Sequence, residues 1–374
     1  MSSAPLPRRL LLTPGPLSVA SATRAAMLTD YGSREESFLA LTGSIRSRLE
    51  ALAGAGDSHV CVPIQGSGTF AVEATLGTLL RPTDMLLILA NGVYGRRMAE
   101  ICRRLGRPHQ VMEFPETEPV SAKALDDALA ASPHMTHVSV VWCETTSGIL
   151  NPLDDIAHVA AARGKKLIVD AISAFGALPL DLSTLPAEAV VGSANKCLEG
   201  VPGLAFVLAD KATLSAAAGN CPSLSLDLHD QWTGFTKTGQ WRFTPPTHVI
   251  AALDQALITL EAEGGPAARL LRYSRNRDRL VEAMTRLGFE PLLPLSLQSP
   301  IIVSFHMPSA PDFCFSTFYH LLEKRQVVIY PGKLTQGETF RMGCIGDLDI
   351  ADMERAVAMV AEVLGTMKRE KIKC

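Results

Sequence analysis

A chain of 374 residues is long enough for two domains or one large α/β unit. Apolar residues make up 47% and charged residues 20%, which excludes a disordered chain. Lysine and arginine number 35 against 38 acidic residues; the net charge of -3 excludes polyanion binding driven by overall charge and leaves a local anion site open.

The first apolar run, Leu10–Leu12, is too short for a signal segment and is ended by Pro14 and Pro16. No stretch reaches the roughly 18 apolar residues of a spanning helix. The eight cysteines are scattered, with no Cys-x-x-Cys pair and no histidine at zinc spacing, so no metal site is expected. The runs His59-Val-Cys-Val-Pro63 and Val140-Val-Trp-Cys143 read as buried segments carrying reduced thiols. A cytoplasmic protein is expected, with no membrane or nucleic-acid partner.

From residue 59 to about 210, short apolar runs alternate with helical patterns, the signature of an α/β fold. Strands are expected at His59–Pro63, Met85–Ala90, His109–Glu113, His137–Trp142, Lys166–Asp170, Ala189–Gly192 and Leu204–Leu208. Helices are expected at 69–80, 94–105, 121–131 and 153–163. The strands are apolar on both faces, as in a mostly parallel seven-stranded sheet covered by helices. After residue 245 the pattern changes to helices at 248–263 and 266–287, strands at 300–306, 326–330 and 338–343, and helices near 312–323 and 349–366. This predicts a large domain over 21–262, a smaller α+β domain over 263–374, and an amino-terminal segment of residues 1–20. Arg269, Arg272, Arg275, Arg277 and Arg279 crowd one helix beside Asp278 and Glu282 and read as a solvated face without function.

Three strings at expected strand ends carry chemistry. Gln65-Gly-Ser-Gly-Thr69 lies between strand and helix, where glycines and helix-opening N–H groups suit a phosphate. Read through Ala71 it also fits a dinucleotide turn, but the acid that reading needs is misplaced, because Asp84 precedes the next strand. Asp170 closes an apolar strand, and Lys196 lies in a loop of small residues, an unusual place for lysine. Each alone has an ordinary reading: a bare turn, a capping aspartate, a surface lysine. Together they form the three fixed parts of a pyridoxal 5'-phosphate site: a phosphate loop, a Schiff-base lysine, and an aspartate that keeps the pyridine nitrogen protonated.

With these three in place, the chain resembles the class V, fold-type I aminotransferases over nearly its whole length. The strings that carry the resemblance are Leu11-Leu-Thr-Pro-Gly-Pro16, Gln65-Gly-Ser-Gly68, Asn91-Gly-Val-Tyr-Gly95, Glu144-Thr-Thr-Ser-Gly148 and Ser193-Ala-Asn-Lys-Cys197, then Trp241-Arg-Phe-Thr-Pro-Pro-Thr-His248, Val328-Ile-Tyr-Pro-Gly-Lys333 and Phe340-Arg-Met-Gly-Cys-Ile-Gly346. The resemblance implies a fold-type I architecture whose residues 1–20 pack near the active site and whose large domain binds the cofactor. It implies that Lys196 and Asp170 are catalytic and that Ser67, Gly68 and Thr69 hold the cofactor phosphate, with Asn195 beside them. Tyr94 is expected to stack on the ring and Thr145 to lie near its 3′-oxygen. Thr244 is expected to complete the phosphate site of the other subunit of a homodimer, and Arg341 to bind the substrate anion. Arg34 and Arg97 are further candidates for a doubly charged substrate.

The strings Trp241-Arg-Phe-Thr244 and Tyr330-Pro-Gly-Lys333 resemble more particularly the branch of the family that moves the amino group of 2-aminoethylphosphonate to pyruvate, giving phosphonoacetaldehyde and L-alanine. The alternative is an alanine–glyoxylate or serine–pyruvate type of transamination. A nicotinamide dehydrogenase and a catalytically silent cofactor-binding regulator are the other readings weighed; the intact lysine, aspartate and arginine oppose the second. Trp142-Cys143 and Leu17-Ser18-Val19 depart from the family pattern near the expected substrate pocket.

Overall fold

The computed structural model describes residues 8–310, 313–334 and 337–370. Its centre is a seven-stranded sheet: β1 (His59–Gln65), β2 (Leu86–Ala90), β3 (His109–Glu113), β4 (His137–Val141), β5 (Lys166–Asp170), β6 (Ala189–Ser193) and β7 (Leu204–Asp210). The spatial order is β1-β7-β6-β5-β4-β2-β3. Every pairing is parallel except those of β7, which runs antiparallel to both β1 and β6. The seven expected strands are therefore all present. β1 extends two residues past Pro63 because Gln65 pairs with Leu204. Pro63 itself is tolerated because β1 is an edge strand.

Alternation along each strand feeds two cores. Leu87, Leu89, Val138, Val140, Leu167 and Val169 point to one face, and Leu86, Ile88, Ile168, Val191, Ala205 and Val207 to the other. Helices Gly68–Leu79, Val93–Leu105, Ala122–Ala131 and Leu153–Ala162 lie between the strands as the patterns predict. Four described α-helices were not among the expected elements: the short Ser21–Ala25 and Lys211–Ser215, and two longer ones. Glu36–Leu52 buries Phe38, Thr42, Ile45 and Leu49 at helical spacing, and Leu228–Thr238 is capped by the Asp227 carboxylate.

A third core gathers Leu10, Leu12, Leu280, Met284, Phe289, Phe305, Phe318, Phe340 and Met353. Around it lie helices Gly265–Arg286, Phe315–Lys324 and Ile350–Glu370, with strands Ile302–His306 and Thr339–Gly343; helix Thr247–Glu263 instead buries Ile250, Leu253, Leu257 and Leu260 in the core that holds Leu87 and Val138. The start of the helix expected near residue 312 lies outside the described residues. The strand expected at 326–330 is split in two. Val327–Val328 pairs in parallel with Leu10–Leu11, and Tyr330–Pro331 then joins Thr339–Gly343. The amino-terminal segment is thus tied to the carboxyl-terminal core.

The arginine-rich helix corrects the sequence reading. Arg269 is fully buried and Arg272 three-quarters buried, both paired with Glu199 and Glu263. Arg279 does face outward, toward Glu282 and Glu354. Among the described residues, no helix is long and apolar enough to cross a membrane.

Candidate active site

A cavity of about 250 Å³ opens at the carboxyl ends of the parallel strands, lined by Gly15, Ser67, Gly68, Thr69, Tyr94, Arg97, Cys143, Asp170, Ser173, Ser193, Asn195 and Lys196 among others. This is where ligands gather in such sheets, because strand ends and helix starts converge there. Asp170 is the last residue of β5, in register with Val141 on one side and Val191 on the other. The register carries Ser193 and the Asn195–Lys196 loop past the strand edge and over the cavity.

At one wall, Ser67 precedes helix Gly68–Leu79 in extended conformation and its side chain makes no cap. The opening N–H groups of a twelve-residue helix therefore face the cavity with no hydroxyl of their own to satisfy them. Gly68 has to be glycine: a Cβ there would lie 2.4 Å from Ile172 Cδ1. Arg97 donates to Thr69 Oγ1 at 3.0 Å and lies 4.8 Å from the centre of the Tyr94 ring.

Asp170 is 5% exposed. It accepts the Ile172 N–H at 2.9 Å, too little to offset desolvation, which pushes its carboxyl up to about 7. Opposite, Lys196 donates from Nζ to the Pro14 carbonyl. Burial, with Arg341 adding to it, lowers its ammonium to about 8, against the pull of Asp170. Gly15 passes so close that a Cβ would stand 2.8 Å from Lys196 Nζ. A buried acid whose desolvation outweighs the fields of Lys196 and Arg97, and an amine shifted toward neutrality, thus share one cavity.

Seven of the residues singled out from sequence line this wall: Ser67, Gly68, Thr69, Tyr94, Asp170, Asn195 and Lys196. Arg97, a secondary candidate, joins them, whereas Arg34 is exposed in a turn and does not. Thr145 and Arg341 lie just behind the wall. Arg341 is 1% exposed and donates from Nη1 to the Thr145 carbonyl at 2.8 Å and from Nε to the Pro331 carbonyl at 3.1 Å. Thr244 is absent from this cavity; it is exposed on a neighbouring face beside Gln65, Phe70 and Phe243.

Gly15, Cys143, Glu144, Ser173, Ser193 and Lys333 belong to the site without having been assigned a role. All but Ser173 lie within strings quoted above, so the signal was present but did not distinguish them from their neighbours. Glu144 is fully buried, accepts the Tyr94 and Thr146 N–H groups, and is pushed up by desolvation. Lys333 sits on the hairpin after Tyr330–Pro331. Partial burial and the fields of Arg341 and Arg97 lower its ammonium, with Glu144 opposing. Three cations thus gather near one another at the cavity.

The comparisons with known proteins agree with this geometry. The family model described as Aminotransferase class-V matches residues 20–336. A 2-aminoethylphosphonate–pyruvate transaminase of Pseudomonas entomophila (strain L48) is 51% identical over 368 residues, covering 98% of this chain and 99% of that protein. One of the same name from Pseudomonas aeruginosa (strain PAO1) is 51% identical over 355 residues, covering 95% and 96%. Among solved structures, pyridoxamine-pyruvate aminotransferase from Mesorhizobium loti superposes with a TM-score of 0.88 at 25% identity, covering 98% of this chain and 95% of that one. Alanine–glyoxylate aminotransferase from Nostoc sp. shares the fold, with a TM-score of 0.89 at 24% identity over 97% and 98%. Matched along most of its length by the family model, and at half identity across nearly all of these relatives, the chain belongs to the class-V aminotransferases.

Proposed function

We propose that this chain is a pyridoxal phosphate-dependent transaminase that takes the amino group of 2-aminoethylphosphonate, releasing phosphonoacetaldehyde, and passes it to pyruvate to form L-alanine. The convergence of Lys196, Asp170 and the Ser67–Thr69 helix start on one cavity carries the reading. The substrates come from the names of relatives 51% identical to it.

The residues present fit the cofactor. An uncapped helix start and a glycine that leaves no room for a side chain suit a phosphate; a desolvated carboxylate suits a protonated ring nitrogen. Bound there, pyridoxal phosphate supplies a conjugated ring that takes up the electron pair freed when the substrate C–H bond breaks. Ser67, Gly68 and Thr69 hold the phosphate, with Asn195 at its side. Tyr94, in the cavity wall, would offer a face to the ring, and Thr145, just behind the wall, would serve on the side of its 3′-oxygen. Asp170 keeps the proton on the ring nitrogen. With its ammonium shifted toward neutrality, Lys196 supplies in its free amine form the base that removes the proton from the carbon bearing nitrogen, and as the ammonium so formed it later returns one. Arg341 binds the phosphonate in the first half-reaction and the pyruvate carboxylate in the second, a task suited to a planar fork. Arg97 and Lys333 add the positive field that a doubly charged group favours.

Residues 263–374 act in this reading as a small domain beside the cofactor-binding domain of 21–262, and the protein works in the cytoplasm as a homodimer. Thr244 then completes the phosphate cradle of a second copy. The exposed side chains of Phe70 and Phe243, which line one recess with Thr244, support that interface, as does exposed Leu224, whose carbonyl accepts from Arg242. The deciding experiment supplies 2-aminoethylphosphonate and pyruvate to the cofactor-loaded enzyme and measures alanine and aldehyde together. Equimolar formation of both is expected. Silence with the phosphonate, alongside turnover of alanine or serine with glyoxylate, would replace the substrate assignment.

A further inference from the structure

The loop that carries Lys196 is pinned by a buried cluster that no catalytic role requires. Three residues beyond the lysine, Glu199 adopts a left-handed backbone with φ of 60°, a conformation that favours glycine, and its N–H donates to the Lys196 carbonyl at 2.8 Å. Its carboxylate is 4% exposed. Oε1 accepts from Arg272 Nη2 at 2.7 Å and from the Tyr273 hydroxyl at 2.5 Å, while Oε2 lies 3.6 Å from Arg269 Nη2. Arg269 also donates to the carbonyl of Cys197, the residue after the lysine, at 2.8 Å. Glu263 balances the second positive charge through both arginines. Buried ion clusters contribute little net stability but can fix one arrangement against others.

The same cluster reaches the strand of Arg341. Arg272 Nη1 donates to the carbonyls of Gly346 at 2.5 Å and Leu348 at 3.0 Å, and the Gly346 N–H reaches the Tyr273 hydroxyl at 3.4 Å. Gly346 follows strand Thr339–Gly343, on which Arg341 sits. The end of that strand binds the amino-terminal segment through Gly343 N–H to Leu12 O at 2.9 Å and Asp347 N–H to Ser18 O at 2.8 Å. That segment returns to the lysine through the Pro14 carbonyl. The contacts close a circuit: Lys196, Glu199, helix Gly265–Arg286, the Arg341 strand, the amino-terminal segment, and Lys196 again.

We propose that Glu199 is a positioning residue, clamped by Arg269, Arg272 and Tyr273 so that Lys196 keeps a fixed place relative to Arg341. It touches neither substrate nor cofactor and acts through the loop. The inference rests on Lys196 being the reacting amine of the proposed transaminase.

The test is Glu199→Gln, which keeps the volume and removes the charge. Cofactor-free wild type and variant are treated with an amine-acylating reagent across a pH series, and Lys196 modification is followed by peptide mass spectrometry. The wild-type midpoint is expected near 8. In the variant a loosened loop becomes more hydrated and leaves the field of Arg341, so the midpoint moves up by about one unit. In the loaded enzyme kcat falls about tenfold while KM for the amine stays nearly constant, the pattern of a lost transition-state arrangement. An unmoved midpoint overturns the proposal, whatever happens to the melting temperature. If Glu199→Gln does not fold, Tyr273→Phe decides, since it removes one hydroxyl and leaves the ion pairs; a smaller upward shift is expected, and none overturns the idea. Borohydride reduction of the loaded wild type separates the two levels. Without cofactor fixed to Lys196 the role of that lysine falls; with it fixed and the midpoint unmoved, only the positioning falls.

Discussion

Lys166 and Asp170 begin and end the same strand, and the two ends treat charge in opposite ways. At the amino end, Glu188 is buried between His137 Nε2 at 3.1 Å and Lys166 Nζ at 2.7 Å. Burial raises its carboxyl, but these two groups outweigh burial and hold it below the usual range. At the carboxyl end, Asp170 is as deeply buried yet, among the described residues, has only the Ile172 N–H as its hydrogen-bond donor, and its carboxyl rises. One end resolves its buried acid within the protein. The other leaves it for a ligand to resolve, and perturbed groups of that kind mark functional sites.

The sharpest way to break this contrast is Lys196→Ala, expected to lower alanine formation by more than about 10⁴-fold, since base and covalent attachment vanish together. Retained multiple turnover would show that the cavity does its work without the lysine. Next comes Asp170→Asn, expected to reduce kcat by about 10²–10³-fold, the scale of losing one preorganised charge. The same change should stabilise the cofactor-free protein at pH 8. The folded carboxyl sits near 7 against a reference of 3.8, so this group's contribution falls as pH rises between those values and is lowest above them. Calorimetry should therefore show the variant's advantage at pH 8 and its disappearance toward pH 4; an advantage independent of pH would point to packing instead. Arg341→Ala should lower kcat/KM by about 10²-fold for the phosphonate and for pyruvate alike. A loss confined to one substrate would refute a shared anion site.

The amino end should respond in stability and not in turnover. Glu188→Gln is expected to cost about 2 kcal/mol near pH 7, because a buried acid with two polar neighbours is replaced by a neutral amide. Its folded carboxyl is depressed, so the wild-type advantage is present above about pH 4.5 and fades as pH falls through the lowered value. Melting curves at neutral and acid pH check this, with kcat as the control expected to stay unchanged. Lys166→Met should matter least, under about 1 kcal/mol, because the lysine is half exposed.

Much of this was legible in the sequence because the relevant signals are local. Strands apolar on both faces declare a covered parallel sheet, and Asp170 and Lys196 stand out as charges where such a sheet has few. The burial of Arg269 was carried by a longer pattern. It occupies the same stripe as Tyr273, Asn276, Leu280 and Met284, all buried on one face of helix Gly265–Arg286. Five arginines in eleven residues disguised that stripe as a solvated face. The left-handed Glu199 had no local signal at all, since its conformation is imposed by residues some seventy positions away. Thr244 was singled out by resemblance alone; within one chain it lines a separate recess with Gln65 and Phe70.

The parallel pairing of Leu10–Leu11 with Val327–Val328 also orders events in time. At roughly 5–20 residues per second, the first strand leaves the ribosome about 15–60 s before its partner is made. Until then the segment bearing the Pro14 carbonyl is anchored only on its far side, by Leu17 and Val19, so a nascent chain can complete its central sheet and still lack a finished cavity. Catalytic competence therefore arrives late in synthesis, and a chain truncated before Val327 should carry both the lysine and the segment that covers it, but without the strand that pairs with that segment.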